Sequence, residues 1–435
     1  MRFHPQLAFE SLHKQDAYQS EALKKLLAYL QEHSPFYKRM FSKHHIDIHN
    51  IRSVNDIGFL PTTAKSDIQE HNWDFLCVPG AEVKEYTSTS GTMGKPVTIA
   101  LTENDLLRLA HNEHQSFLCA GGEPGDIYQL MLTLDRQFMA GMAYYMGIRQ
   151  LGAALIRTGP ALPAMQWDTI GRLQPNSIVA VPSFILKLIE WAHEHRVDLK
   201  NTPVQKAICI GENLRGADFE LNALGQKISN DWPVKLYSTY ASTEMQTAFT
   251  ECTAGFGGHQ QPDLVILEIL NEHGNPLKAG EYGEVTITTL GVEGMPLLRY
   301  RTGDICAFYD SPCSCGRYSC RLSPVLGRTQ QMIKYKGTTL YPPAIFDMLN
   351  NIPFIKEYVV EVFTNELALD EIRLHINTPL PVDECEVRLR PVLQSSLRVM
   401  PLLRFHPLAM IQEMQFPANS RKQVKFLDNR EALGM

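Results

Sequence analysis

The chain has 435 residues, of which 44% are hydrophobic and 20% are charged, and its 41 basic against 47 acidic side chains give a formal net charge of −6. A chain of this length and composition can bury a large core, which excludes general disorder and indicates two to four domains. It carries no block of Lys and Arg, the electrostatic footprint of nucleic-acid-binding proteins, so we expect no nucleic-acid partner.

The sequence also argues against a membrane protein. No segment reaches the ~18 consecutive apolar residues of a membrane helix, and the best candidate, Ile178 to Ile189, is interrupted by Pro182 and Lys187. Residues Met1 to Pro5 lead into mixed polar sequence rather than the apolar core of a signal peptide. Five of the nine cysteines stand singly among apolar neighbours, as reduced core thiols do: Cys77, Cys119, Cys209, Cys306 and Cys385. We therefore expect a cytoplasmic protein.

Apolar periodicity predicts the elements of the first part of the chain. Leucines at helical spacing over Ala17 to Glu32 predict an opening helix that ends at Ser34-Pro35. Short apolar segments then alternate with helical stretches such as Ser183 to His195, as in βαβ units. The apolar segments are residues 126–131, 153–156, 177–181 and 207–210. We expect them to be buried parallel strands of a doubly wound sheet with helices on both faces.

The pattern changes twice further along. From about Leu264, strands separated by turns, Leu264–Leu270 and Gly283–Thr289, predict a β-rich subdomain. After Arg328, a helix at Pro343–Asn350 is followed by two alternating strands at 357–363 and 371–376. We therefore expect an α/β protein with a large N-terminal domain over residues 1–328 and a small α+β domain over residues 329–435.

A polar loop carries the first chemical signal. The segment from Tyr86 to Val97 crowds hydroxyls, glycines and Lys95 between two strand-like segments, which is typical of a phosphate-binding loop. It is not a P-loop, because Gly91 and Gly94 are too close together and Pro96 stands where a magnesium-binding hydroxyl should follow the lysine. Taken alone, the same composition also fits an ordinary surface turn.

Three further motifs follow this loop in order. The loop resembles the Ser/Thr-Gly-rich signature of the acyl-adenylate-forming superfamily, and Tyr240–Glu244 resembles its Tyr-Gly-x-Thr-Glu motif. Tyr300–Asp304 matches its Tyr-Arg-Thr-Gly-Asp motif, and Gly327–Lys334 is similar to its Gly-Arg-x-Asp-Asp-x-Ile-Lys hinge. Within the superfamily, three other segments resemble the phenylacetate–coenzyme A ligase branch: Ser34–Tyr37, Leu60–Lys65 and Val424–Arg430.

The resemblance implies an ATP-dependent ligase that activates an aryl acid as an acyl-AMP, releases pyrophosphate and passes the acyl group to coenzyme A. It implies a mobile C-terminal domain that rotates between the two half-reactions. In this family Glu244 would bind magnesium, Thr243 the α-phosphate and Asp304 the ribose hydroxyls. The implied ATP/AMP site comprises Ser88, Ser90, Gly91, Thr92, Gly94, Lys95, Gly211, Glu212, Asn213, Tyr240, Ala241, Ser242, Thr243, Asp304 and Arg328.

The predicted C-terminal domain departs from the family pattern in two places, its last segment and its hinge. Aligning Asp428-Asn429-Arg430 with the family's Asp-x-Arg ending puts Lys422 at the catalytic lysine, with Arg421 in place of a glycine and Lys425 as a nearby alternative. Gln330 and its neighbour Gln331 stand where the hinge commonly has two aspartates. Glutamine permits the same backbone rotation but removes a charge.

The acid pocket is predicted only coarsely. The aromatic and Met-rich stretch from Phe138 to Gly147 suits a flat ring, although such a stretch is also typical of helix core. We expect Phe138, Tyr144, Tyr145 and Ala241 to line the pocket. The sequence leaves phenylacetate, benzoate-like, hydroxylated and indole acids open.

The remaining four cysteines are clustered and carry a separate prediction. Cys313 and Cys315 form a tight pair on a Pro/Gly turn, and Cys252 precedes His259 by seven positions in a Gly-rich loop. The two halves could meet as a four-ligand structural zinc site, with Cys320 able to replace one ligand. The alternative is a set of reduced loop cysteines without metal.

Two alternatives to the ligase remain open at this stage. The same adenylation chemistry could serve a carrier-protein arm or an amine as acceptor, since no residue fixes the nucleophile. The fold could also belong to a catalytically silent nucleotide-binding relative. The resemblance is compatible with a homodimer, but no stretch of the sequence establishes one.

Overall fold

A computed structural model describes residues 3–89, 96–335, 338–365, 369–397, 399–416 and 423–430. The chain divides into two compact units, Met1–Pro324 and Val325–Met435, whereas the sequence placed the boundary after Arg328. Among the described residues, no helix combines the length and apolar character needed to cross a membrane.

The first unit opens with helices. The predicted opening helix extends further in both directions than expected, and Ser34 ends it and caps the next helix by accepting a hydrogen bond from the Tyr37 N–H. The described α-helices of this unit are α1 (Leu12–His33), α2 (Pro35–Lys43), α3 (Lys65–His71), α4 (Glu103–Cys119), α5 (Met139–Leu151), α6 (Pro163–Leu173), α7 (Pro182–Glu194) and α8 (Ala223–Asp231).

The described strands of the first unit include all the predicted ones, within one or two residues at each end. They are β1 (Glu85–Ser88), β2 (Thr98–Leu101), β3 (Ile127–Leu130), β4 (Ala154–Arg157), β5 (Ser177–Ala180), β6 (Lys206–Ile210), β7 (Lys235–Ser242), β8 (Thr247–Glu251), β9 (Gly258–His259), β10 (Val265–Leu270), β11 (Gly283–Thr289), β12 (Tyr300–Cys306), β13 (Phe308–Tyr309) and β14 (Arg321–Leu322).

The main sheet confirms the doubly wound prediction. Five parallel strands run in the order β7-β6-β5-β3-β4, and β8, β9, β14 and β13 extend the β7 side in antiparallel fashion. Alternate residues of β5 are buried on opposite faces. Ile178 packs with helices α6, α7 and α8, and Val179 packs with α4 and α5. Both faces are therefore covered, which explains the continuous apolar runs.

A smaller antiparallel arrangement forms the predicted β-rich region. Strand β11 pairs with β10 on one side and with β12 on the other, and β1 and β2 form a separate hairpin. The β11–β12 register shifts between Glu284 and Thr286, so that β12 bulges over Thr302–Asp304. This bulge lies within the predicted Tyr-Arg-Thr-Gly-Asp motif.

The second unit has the predicted α+β character. Helices α9 and α10 pack Ile345, Leu349, Leu389 and Leu393 against a sheet in the order β20-β19-β18-β21. The central pair is antiparallel and the outer pairs are parallel. The described elements are β15 (Gly327–Arg328), β16 (Ile333–Tyr335), β17 (Thr338–Leu340), α9 (Pro342–Asn350), β18 (Glu357–Thr364), β19 (Asp370–Asn377), α10 (Val382–Leu397), β20 (Leu402–Phe405), α11 (Leu408–Gln415) and β21 (Phe426–Asn429).

Candidate functional site

The N-terminal motif segments are joined to the strand that begins at Tyr300. Thr63 donates its N–H to the Arg299 carbonyl at 3.0 Å and accepts from the Arg301 N–H at 2.8 Å, so the segment before α3 lies along the start of β12. The hydroxyl of Tyr37 accepts from the Leu298 N–H at 2.9 Å. These bonds fix where α3 begins, and therefore where Lys65 lies.

Lys65 meets the predicted magnesium ligand. Its Nζ lies 3.2 Å from Oε1 of Glu244, and the Tyr300 hydroxyl lies 3.5 Å from the same oxygen. Glu244 is only 7% exposed, whereas the Lys65 side chain is 41% exposed. A buried carboxylate oxygen of this kind fits a Mg²⁺ ion that also binds nucleotide phosphates. The sequence pointed to the Leu60–Lys65 segment only as a resemblance and gave Lys65 no role.

Asp304 and Tyr240 bring two predicted nucleotide motifs together. The Tyr240 hydroxyl donates to Oδ2 of Asp304 at 2.8 Å. Burial, and next the Asp304 charge, raise the pKa of Tyr240 well above its ordinary value, so the phenol stays a donor. Gly303 has φ +80°, which a side chain would strain, and its N–H donates to Glu284 at 3.0 Å. This bulge aims Asp304 towards β7.

The segment after β6 is also at the carboxyl edge of the sheet. Gly211 has φ +78° and turns the chain directly after the strand. The Glu212 carboxylate accepts from the Ser183 N–H and hydroxyl, each at 2.8 Å, and so caps the start of α7. Asn213 accepts from the Asn222 side chain through its carbonyl. Glu212 therefore has a structural partner besides any nucleotide.

The other predicted nucleotide residues are only partly within the described chain. Ser88 ends β1, and Ser242 and Thr243 are half-buried at the end of β7. Arg328 is exposed and belongs to the second unit. Ser90, Gly91, Thr92, Gly94, Lys95, Arg421 and Lys422 lie outside the described residues.

The predicted acid-pocket residues lie around α5 and β7. Phe138 precedes α5 and is half-buried, and Tyr144 is fully buried in the apolar cluster between α4, α5 and the sheet. Ala241 is exposed on β7. Tyr145 packs on the same cluster but also lines a cavity of about 400 Å³ beside β4, where the Arg157 guanidinium lies 5.8 Å from its ring centre.

The four predicted zinc ligands come together in the structure. The ligand atoms of Cys252, His259, Cys313 and Cys315 all lie within 4.8 Å of one another. The two sulfurs of Cys252 and Cys313 are 3.6 Å apart, and the Cys315 sulfur is 3.4 Å from the His259 Nε2. A tetrahedral site with Zn–S bonds of about 2.3 Å has edges of about 3.8 Å, so these separations suit zinc.

The surroundings of this cluster also fit a metal. His259 Nδ1 lies 3.3 Å from the Ser319 hydroxyl, and a hydrogen bond at this second ring nitrogen is what orients an imidazole that binds a metal through the other. Burial, followed by the charges of Arg317 and Arg321, lowers the pKa of His259 to about 3, which keeps the ring neutral. Cys320, the predicted substitute ligand, is not part of the cluster.

Comparisons with known proteins decide the family. Residues 86–294 match the model of the AMP-binding enzyme family. The chain is 30% identical over 386 residues to the phenylacetate-coenzyme A ligase of Thermus thermophilus, covering 88% of this chain and 85% of that protein. The chain belongs to the phenylacetate–coenzyme A ligase family. It is an enzyme of the acid–thiol ligase class, which uses ATP and coenzyme A.

Other comparisons agree with this family. The Escherichia coli phenylacetate-coenzyme A ligase is 28% identical over 76% of this chain and 75% of its own. The structure of 2-hydroxyisobutyryl-CoA ligase in the postadenylation state with R3-HIB-AMP has a TM-score of 0.85 at 21% identity, covering 98% of this chain and 92% of that one. The same ligase in the thioesterification state with 2-HIB-AMP and CoA has a TM-score of 0.71. These structures share the fold of this ligase-family chain.

Proposed function

We propose that this enzyme joins an aryl acid to coenzyme A through an acyl-adenylate, releasing first pyrophosphate and then AMP. The observation that carries the proposal is the pair of contacts at the ends of β7 and β12. Lys65 with Glu244 provides opposite charges for the phosphate end of ATP, and Tyr240 with Asp304 provides a fixed carboxylate for the ribose. Both contacts lie in the first unit.

The first half-reaction brings together two anions, the acid and the α-phosphate. Electrostatic neutralisation and in-line positioning therefore carry most of the catalysis. We propose that Glu244 holds a magnesium ion, which supplies positive charge to the phosphates when bound. Lys65 adds a second positive charge beside the same carboxylate, and Thr243 donates to the α-phosphate.

The ribose and the acid occupy opposite faces of β7 in this proposal. Side chains alternate along a strand, so Tyr240 faces Asp304 while Thr239 and Ala241 face the other way, towards α5. The Asp304 carboxylate accepts hydrogen bonds from the ribose hydroxyls. The aromatic cluster of α4 and α5, which includes Phe138, Tyr144 and Tyr145, supports a flat ring as the acid's body.

The C-terminal domain supplies the rest of the machinery in this proposal. Lys422 bonds the attacking carboxylate and the α-phosphate during adenylation, and rotation of the domain at Gln330 and Gln331 admits coenzyme A for thioester formation. Gln330 and Gln331 form a single 3₁₀ turn, Thr329–Gln331, directly after β15. A short non-repetitive turn of this kind can absorb changes in φ and ψ.

The test is AMP formation from ATP and magnesium with a panel of aryl and aliphatic acids, with and without coenzyme A. Coenzyme A-dependent AMP release with an aryl acid is the expected result. Pyrophosphate release without a thioester would favour a carrier-protein or amine acceptor instead. No turnover of any acid would favour the silent nucleotide-binding relative.

We also propose one structural zinc per chain in the Cys252, His259, Cys313 and Cys315 cluster. Four protein ligands leave no open position, so the ion would tie strands β8 and β9 to the loop before β14 rather than take part in catalysis. Elemental analysis after dialysis should find about one zinc per chain. An intact, active enzyme without zinc would contradict this proposal.

A further inference from the structure

Arg430, the last residue of the Asp-x-Arg ending, reaches back to the turn Thr329–Gln331 at the hinge. Its Nη2 donates to the Gln330 carbonyl and its Nη1 donates to the Met332 carbonyl, each at 2.8 Å. A guanidinium presents its N–H groups in a rigid fork, so a single side chain holds these two carbonyls at a fixed spacing. The hinge and the C-terminal ending, which the sequence offered as two separate resemblances, are therefore in direct contact.

The remaining donors of Arg430 bind two carboxylates of the same unit. Nε and Nη2 donate to the two oxygens of Asp428, at 2.8 and 2.5 Å, and Nη1 donates to Oδ2 of Asp370 at 3.3 Å. Together with the two bonds to the carbonyls, these three bonds use all five N–H donors of the guanidinium. The Arg430 side chain is only 20% exposed. Its position is therefore set independently of the turn that it holds.

The groups around Arg430 are anchored in the sheet of the second unit. Arg430 directly follows β21, which pairs with β18, and the Asn429 side chain donates to Oε1 of Glu361 at 2.8 Å. Asp370, the first residue of β19, also accepts from the Lys334 N–H at 2.9 Å. The hinge segment is therefore held at alternate positions, 330, 332 and 334, by side chains that belong to the sheet.

These bonds decide which backbone angles can change when the second unit rotates. The φ and ψ angles of Gln331 lie between the two carbonyls that Arg430 fixes, so they move with the unit. The backbone before the Gln330 carbonyl is outside this pair of bonds and is left to rotate. A hinge gives defined poses when few residues absorb the change. Arg430 thus narrows the rotation proposed at Gln330 and Gln331 to the first of them.

We infer that Arg430 is a positioning residue, which holds the hinge turn in the second unit so that this unit adopts a defined pose in each half-reaction. The inference rests on the proposed function and gives the Asp-x-Arg ending a role in it. Arg430 acts through the backbone of Gln330 and Met332. Without it the turn flexes at more residues, the fraction of molecules in each competent pose falls, and the rate falls with that fraction.

The experiment measures both half-reactions of Arg430→Gln and Arg430→Lys with the acid that wild-type enzyme turns over best. Pyrophosphate release, and thioester formation from supplied acyl-AMP, should each slow by roughly tenfold in both variants, because neither side chain reproduces the fork. The affinity for AMP, measured by calorimetry, should stay within about twofold, since the proposed ribose contact between Tyr240 and Asp304 is in the first unit.

A matched control and a stability measurement separate positioning from a merely structural role. Arg390→Gln removes an exposed arginine of α10 that pairs with Glu386, and it should match wild type in every assay. Arg430→Lys keeps a positive charge beside Asp370 and Asp428. Its thermal unfolding midpoint should therefore stay closer to wild type than that of Arg430→Gln, while its half-reactions remain slow.

The outcomes also separate this inference from the proposed function. If both variants at Arg430 keep wild-type rates while the unfolding midpoint falls, Arg430 only stabilises the fold, and the inference is wrong although the ligase function stands. Wild-type rates in Arg430→Lys alone would mean that charge rather than the fork matters, which also contradicts it. If Arg430→Gln does not fold, Arg430→Lys still decides. If wild-type enzyme turns over no acid with coenzyme A, the proposed function is wrong and the inference falls with it.

Discussion

The Nζ of Lys65 lies 3.2 Å from Oε1 of Glu244, a contact between the start of α3 and the end of β7. The bonds of Thr63 to Arg299 and Arg301 hold α3 there, so the Leu60–Lys65 segment has a structural reason to accompany the Tyr300–Asp304 motif. The contact also puts one flexible cation beside the carboxylate proposed to bind magnesium. A cation in this place can move onto a phosphate oxygen when Mg-ATP binds.

Replacing Lys65 by Met should lower kcat/KM for ATP in pyrophosphate release by roughly ten- to a hundredfold. The loss should stay below that of a fully buried electrostatic group because the Lys65 side chain is 41% exposed. Glu244→Gln should cost more than Lys65→Met, since the carboxylate is buried. Lys25→Met on the exposed face of α1 is the control and should have wild-type kinetics. Normal kinetics for Lys65→Met would exclude a role at the phosphates.

The Tyr240–Asp304 hydrogen bond gives a second prediction. Asp304→Ala should raise KM for ATP by roughly a hundredfold, because both ribose hydroxyls lose a charged acceptor. Tyr240→Phe keeps the aromatic ring and removes only the 2.8 Å bond that orients the carboxylate, so it should raise KM less, by roughly threefold to tenfold. Steady-state kinetics of pyrophosphate release measure both. Equal effects of the two variants would mean that Asp304 acts only through Tyr240.

The fold could be predicted from the sequence where burial dictates the pattern. Strands β5 and β6 are covered on both faces, so after the first residue each is a short continuous apolar run with little ambiguity. Strands β9, β13 and β14 have only two residues each, too few for any periodicity to show. They depend on pairing with distant strands, as Arg321 with His259, which no local pattern reveals.

The residues of the candidate site likewise divide into those that could be predicted from the sequence and those that could not. Motif residues such as Asp304, and the four clustered residues proposed to bind zinc, were predicted because chemistry or resemblance marks them locally. Lys65 was not, since its role depends on Glu244, a partner that only folding brings near.

The proposed zinc site predicts different effects for substitutions at two cysteines that are close in sequence. Cys315→Ser should lose the bound zinc and lower the thermal unfolding midpoint by several degrees, because the loop before β14 loses its tie to β8 and β9. Cys320→Ser should keep one zinc, since its sulfur lies outside the cluster. Elemental analysis and thermal unfolding of both variants provide the check. Equal zinc content in the two would refute the ligand assignment.

The roles of the two lysines near the C-terminus, Lys422 and Lys425, can also be distinguished. Lys425 Nζ lies 5.0 Å from the centre of the Tyr358 ring, a structural cation–π contact within the second unit. Lys422→Ala should therefore abolish most pyrophosphate release while leaving thioester formation from supplied acyl-AMP, whereas Lys425→Ala should affect stability more than either half-reaction. Separate assays of the two half-reactions measure this. If Lys425→Ala alone blocks adenylation, the catalytic lysine is Lys425.

The buried Glu113 carboxyl makes stability depend on pH. Burial raises its pKa from 4.5 to about 8, so between these values the folded state binds more protons than the unfolded state. The free energy of unfolding should therefore fall as pH rises through this window, by at most about 1.4 kcal/mol per pH unit. The contribution is fully present below the unfolded pKa and is lost as pH rises through the folded one.

Glu113→Gln cannot titrate, so the difference in unfolding free energy between wild type and this variant should shift against the wild type from pH 5 to pH 8. Urea unfolding at several pH values in this range measures the difference. Glu190→Gln, an exposed substitution on α7, should show a pH profile parallel to that of the wild type. A parallel profile for Glu113→Gln as well would mean that Glu113 is ionised in the folded enzyme and that burial does not raise its pKa.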